Sequence, residues 1–220
     1  MYITLIFLGV IMATIIAWLL RQTIGKQPWI ATAADNAASG TSMDSSTKAV
    51  ALMSFLAVAT SVFGLFISAY TIRMDEPDWR PLAEPGLLWV NTGVLILASI
   101  AYHWTRNAAI KGIDDRIKPG LMLSGALTIL FLVGQLVAWR QLIDAGYYVD
   151  LNPANAFFYL LTAVHGLHML GGLWVWFSST VKVWTGADPD SVRLSIELCT
   201  VYWHFLLLVW IVLFGMLLST

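Results

Sequence analysis

The sequence predicts an all-α membrane protein of six transmembrane helices, and three observations carry that reading. Of 220 residues, 59% are apolar and only 11% are Asp, Glu, Lys or Arg, whereas a water-facing surface needs roughly 25% charged residues; mean hydropathy is +0.76. The apolar residues gather into six runs, each near the length of about 20 helical residues that crosses a hydrocarbon core. None of these runs alternates polar with apolar at period two, as barrel strands do. A span in lipid must satisfy its own backbone hydrogen bonds, and a helix does so.

The first span is Tyr2–Leu20. It lacks a positive segment ahead of it and is followed by Arg21 and Lys26, and Ala31-Thr32-Ala33 falls on the wrong side of those charges for a cleavage site. Residues 1–21 therefore read as a retained anchor rather than a secretory signal. Residues 22–47 read as a polar linker, with Thr32–Thr47 rich in Ala, Ser and Asp. The second span is Ala49–Ile72, after which Pro77, Pro81 and Pro85 break the chain. The third is Leu87–Thr105. Pro119 opens the fourth, Gly120–Trp139, and Pro153 after Asn152 opens the fifth, Ala154–Ser178. Asp190 and Ser191 are the expected caps of the sixth, Leu194–Leu218. Residues 48–220 are expected to form a five-helix bundle. No internal repeat and no inverted halves are visible, which disfavours a transporter.

Charge orients the bundle, because Lys and Arg are costly to translocate. Nine of them (Arg21, Lys26, Lys48, Arg106, Lys111, Arg116, Lys118, Lys182 and Arg193) follow spans one, three and five; three (Arg73, Arg80 and Arg140) lie on the other side. The first set is expected in the cytoplasm and both termini outside. Trp18, Trp29, Trp79, Trp89, Trp104, Trp139 and Trp184 lie near span ends, where an indole bridges headgroups and tails. Trp203 and Trp210 lie too deep for that and are expected to pack between helices. The net charge of −1 gives no basic face for nucleic acid. Cys199 is the single cysteine, which excludes an intrachain disulfide and an all-cysteine metal cluster.

Polar side chains inside the spans are expensive and need a reason. Span three carries Asn91 and His103, span four Gln135, span five His165 and His168, and span six Glu197, Tyr202, Trp203 and His204. His165 and His168 are three apart, on one side of a helix, and Gly166, Gly171 and Gly172 beside them allow a close helix approach. Glu197 and His204 share a face but are separated by two turns, about 10 Å, and Arg193 stands at i−4 to Glu197. Two imidazoles, a carboxylate and a third imidazole match the ligand types of a non-haem metal site. Against it, one rigid helix holds Glu197 and His204 too far apart for one ion, and His165 and His168 are too close to ligate opposite faces of a haem. The reading preferred here is hydrogen bonding between helices, worth about 0.6–2 kcal/mol each.

Two motifs go beyond such generic features. The fifth span reads Phe157-Phe158-Tyr159-Leu160-Leu161-Thr162, then His165-Gly166-Leu167-His168; the sixth reads Glu197, then Tyr202-Trp203-His204-Phe205 and Val209-Trp210. In this order they resemble subunit III of the haem–copper oxidases, which include cytochrome c and quinol oxidases. Asn91, Thr92 and Leu95, and Gln135, Ala138, Trp139 and Leu142, are weaker matches to the same family. The similarity runs from about Lys48 to Leu218 and leaves out the first span. Two departures stand out: Ala59, and a residue within Leu206-Leu207-Leu208, replace carboxylates common in relatives.

The resemblance implies a redox-inactive accessory subunit in the bacterial cytoplasmic membrane, without haem or copper of its own. Those cofactors belong to partner subunits, above all the catalytic subunit I, which this chain would stabilise. The resemblance also implies bound phospholipids and support of oxygen reduction coupled to proton translocation. No catalytic, cofactor or metal residue is assigned. His165, His168, Glu197, Tyr202, Trp203, His204, Gln135 and Asn91 are the expected interhelical or lipid-contact residues. The alternatives are the small subunit of a nitric oxide reductase-type complex and a membrane metalloenzyme using His165 and His168.

Overall fold

The computed structural model describes residues 40–82 and 85–219, with side chains from residue 47. The expected first span, Tyr2–Leu20, lies outside the described residues. Five helices follow: α1 (Gly40–Arg73), α2 (Leu87–Ile110), α3 (Asp114–Asp144), α4 (Pro153–Trp184) and α5 (Pro189–Leu218). There is no strand among the described residues. All five helices are long and apolar enough to cross a membrane, and they match expected spans two to six.

Helix starts differ from expectation in three places, and α2, α3 and α4 run on past the expected ends of their spans, to Ile110, Asp144 and Trp184. α1 starts at Gly40, inside the segment read as linker; extending a formed helix through Ser, Thr and Asp costs only tenths of a kcal/mol per residue, roughly. α3 starts at Asp114, so Pro119 sits inside the helix rather than at its start. Proline there removes one bond, to the carbonyl of Asp115, while Asp114 and Asp115 in the first turn face the positive end of the helix dipole. α5 is capped by Asp188, not by Asp190 or Ser191. The Asp188 carboxylate accepts from the Ser191 N–H at 3.1 Å, Pro189 follows it, and Asp190 lies in the first turn. α4 follows expectation, with Asn152 as its cap and Pro153 next.

Asn152 does more than cap. Its side-chain oxygen accepts from the N–H groups of Ala154 and Arg80, and its amide nitrogen donates to the Arg80 carbonyl, tying the Pro-rich loop to α4. Asn152→Ala is expected to cost about 1–2 kcal/mol through the lost cap alone and to make the loop around Arg80 more susceptible to protease, as limited proteolysis would register. Earlier in that loop Arg73 and Asp78 form a two-pronged ion pair on the surface. The Arg73 hydrogen bond holds the Asp78 carboxyl below its ordinary value. The pair is therefore intact at neutral pH and is lost as pH falls through that lowered value.

The described residues divide into two units, one ending at Ile72 and one beginning at Arg73. In the first, Leu56, Ala59, Thr60, Phe63, Ile67 and Tyr70 form the buried stripe of α1. In the second, α2–α5 close a ring: α2 packs on α3 and α5, and α4 packs on the same two. The turns between α2 and α3 and between α4 and α5 are short, and Gly112 and Gly186 take positive φ in them. Successive helices run antiparallel, as contacts at both ends of the α2–α3 pair require: Asn91 meets Gly134 and Thr105 meets Gly120. Gly125 faces the Trp176 ring between α3 and α4, and Gly172 faces the Tyr202 ring between α4 and α5. Where lipid competes with protein for apolar contacts, such close approach is what holds helices together.

Candidate functional site

The largest buried side chains of the ring include a set of aromatic rings, with hydrogen-bonding groups set among them. Trp210 is wholly buried; its indole N–H donates to Thr92 Oγ1 at 2.9 Å, and its ring lies 5.0 Å from Phe131. His165, 1% exposed, completes this cluster, 5.4 Å from Trp210 and 6.2 Å from Phe131 between centroids. Trp203 is buried and stacked at 5.0 Å on Tyr102. Trp203 and Trp210 thus pack between helices as their depth predicts. Asn91 and Gln135 are also buried.

His168 does not join His165 in that cluster. It is half-buried, with Nδ1 2.8 Å from the Val164 carbonyl on its own helix. Its backbone carbonyl accepts from the Tyr202 hydroxyl at 2.7 Å, which links α4 to α5. The glycines nearby divide their work. Gly172 admits the Tyr202 and Trp203 rings, Gly171 lies near the Tyr202 hydroxyl, and nothing lies within 4 Å of a methyl placed on Gly166.

A second polar group lines the seam between α2 and α5. His204 Nδ1 lies 2.5 Å from Ser99 Oγ, and its ring centroid is 5.8 Å from that of His103. Two turns along α5 from His204, Glu197 accepts from Arg193 Nε at 3.0 Å, the i−4 pair expected from spacing. His204, Glu197 and Arg106 are half-buried and His103 is exposed, so the seam shows polar and ionisable groups at the bundle surface within or near the membrane. Among the described residues no three His, Cys, Asp or Glu side chains come together as a metal-ligand group.

Sequence reasoning did not single out Ser99 or Phe131, and it named Thr162 only within the fifth-span motif, without a role. Thr162 accepts from the Trp139 indole at 3.0 Å and so fastens α3 to α4. A hydroxyl inside an apolar run was the available signal, but Ser and Thr in helices commonly bond their own backbone, as Thr162 also does.

Comparison with known proteins places these helices among relatives. Residues 46–218 match the family described as cytochrome c oxidase subunit III. Cytochrome c oxidase subunit 3 of Synechocystis sp. is 32% identical over 170 residues, covering 73% of this chain and 70% of the relative. The Thermostichus vulcanus protein of the same name is 28% identical over 179 residues, covering 77% and 86%. Cytochrome bo(3) ubiquinol oxidase subunit 3 of Pseudomonas aeruginosa is 24% identical over 163 residues, covering 74% and 78%.

Proposed function

The chain belongs to the cytochrome c oxidase subunit III family, and from that premise we propose that it serves as an accessory subunit of a haem–copper terminal oxidase, packing against and stabilising the catalytic subunit. The family match over most of the chain is the observation that carries this reading. The named relatives are oxidase subunits, which favours oxygen over nitric oxide as the substrate of the partner. The chain's own part is structural: its buried rings and hydroxyls join helices, and haem and copper reside in partner subunits. Lipids fill the exposed apolar faces of α2–α5. The charge asymmetry of the loops sets both termini outside a bacterial cytoplasmic membrane.

The α2–α5 seam supports a docking role. Ionisable groups at a lipid-facing surface are costly, and a partner helix covering Arg106, His103, His204 and Glu197 lowers that cost. His204→Ala or Glu197→Ala is expected to reduce retention of this chain with its partners after mild-detergent purification by about 3- to 30-fold, the equivalent of 0.6–2 kcal/mol per interhelical polar contact. Haem content of the partner stays unchanged. Full retention together with lost oxygen consumption would contradict the docking role.

A further inference from the structure

Gln135 is buried to 6% exposure, yet neither its amide nitrogen nor its amide oxygen has a hydrogen-bond partner among the described residues. The same holds for the amide nitrogen of Asn91, at 3% exposure. The two stand at one level of the bundle. Asn91 on α2 abuts Gly134, the residue before Gln135 on α3. Between α3 and α4, Trp139 bonds Thr162 and Gly125 faces Trp176, a register that sets Gln135 opposite Gly166, next to His165. Asn91, Gln135 and His165 thus come from three helices to one depth inside the ring, and Phe131 one turn along from Gln135 contacts the His165 ring.

An amide in an apolar interior is costly without a partner, and no such cost is paid twice at one level without compensation. Water is the chemistry that satisfies a primary amide's donors and acceptor together, given two to four polar partners and room for one molecule. Glycine lets the Asn91 amide lie directly against α3 beside Gln135, and leaves open space at the half-buried Gly166. A methyl on Gly134 would overlap the Asn91 amide, while a methyl on Gly166 would meet nothing within 4 Å. We propose that Asn91 and Gln135, at the level of His165, form a binding site for ordered water inside the α2–α5 ring. The water bridges α2 to α3 through the two amides and fixes their register by polar contacts that lipid cannot replace. This site follows from the interior of the chain and does not depend on which complex it joins.

The test uses the full chain purified from its membrane with its bound partners and held in nanodiscs. A high-resolution cryo-electron microscopy map is expected to show compact non-protein density within hydrogen-bond distance, about 2.7–3.2 Å, of both amides. Gln135→Met, which keeps side-chain length and removes the polar atoms, is expected to abolish that density and lower the chain's apparent unfolding temperature by about 4 °C or more. Direct bonding between the two amides with no density, or elongated acyl-chain density there, overturns the proposal. So does an unchanged or raised unfolding temperature in Gln135→Met, which is what relief of a dry, unsatisfied amide produces.

Discussion

Gly125→Leu is expected to prevent accumulation of folded chain in the membrane. Even a single methyl at this position overlaps the indole of Trp176, and that ring is fixed, because its N–H donates to the Leu121 carbonyl at 2.9 Å. Gly125 and Leu121 lie one turn apart on α3, so any shift that relieves the overlap also breaks the hydrogen bond. Overpacking costs typically 1–3 kcal/mol, and loss of the indole bond with separation of α3 from α4 brings the total to about 4 kcal/mol or more. Gly93→Ala is the control. Nothing lies within 4 Å of a methyl there, and alanine favours a helix by about 1 kcal/mol over glycine. Quantifying membrane-embedded chain for both variants checks the contrast: equal levels would mean that the α3–α4 approach is not what holds the ring.

The second large effect is expected at Trp210. Its ring contacts Phe131, His165 and Phe214, and its N–H donates to Thr92. Trp210→Ala removes the side chain on which α2, α3, α4 and α5 converge, at about 3–5 kcal/mol for a large aromatic lost from a core. Trp210→Phe keeps most of the contact area and loses the hydrogen bond, about 1 kcal/mol. Thermal unfolding of the purified complex separates them, with the alanine variant falling several times further than the phenylalanine variant. Equal losses would assign the stability to the Thr92 bond rather than to packing.

These effects rest on features that differ in how openly the sequence displays them. The spans of α1–α5 are legible because lipid imposes one simple rule, a run of apolar residues long enough to cross, and Asn152-Pro153 marks a helix start without help from tertiary structure. Pro119 misled because a proline near a helix N-terminus removes little, and two aspartates upstream extend α3 past it. Asp190 and Ser191 have the right composition for a cap, but the geometry selects Asp188, whose oxygen reaches the N–H three residues on. The Arg193–Glu197 pair was legible from i,i+4 spacing alone. The partition of His165 into the aromatic core and His168 onto its own backbone was not, since a 60° difference on a helix becomes core or seam only when neighbours are placed. Ser99 beside His204 is of the same kind: 105 residues separate them, and no local pattern announces the meeting.

The central claim is that this chain binds helices to one another and to a respiratory complex, while the redox centres belong to its partners. Mild-detergent purification of the tagged chain, with a reduced-minus-oxidised spectrum taken before and after the subunits are dissociated, tests it most directly. The expected result is a haem spectrum in the complex that leaves entirely with the catalytic subunit, with metal analysis of the separated chain showing no stoichiometric iron or copper. A haem spectrum or a stoichiometric transition metal retained by the isolated chain would contradict the account.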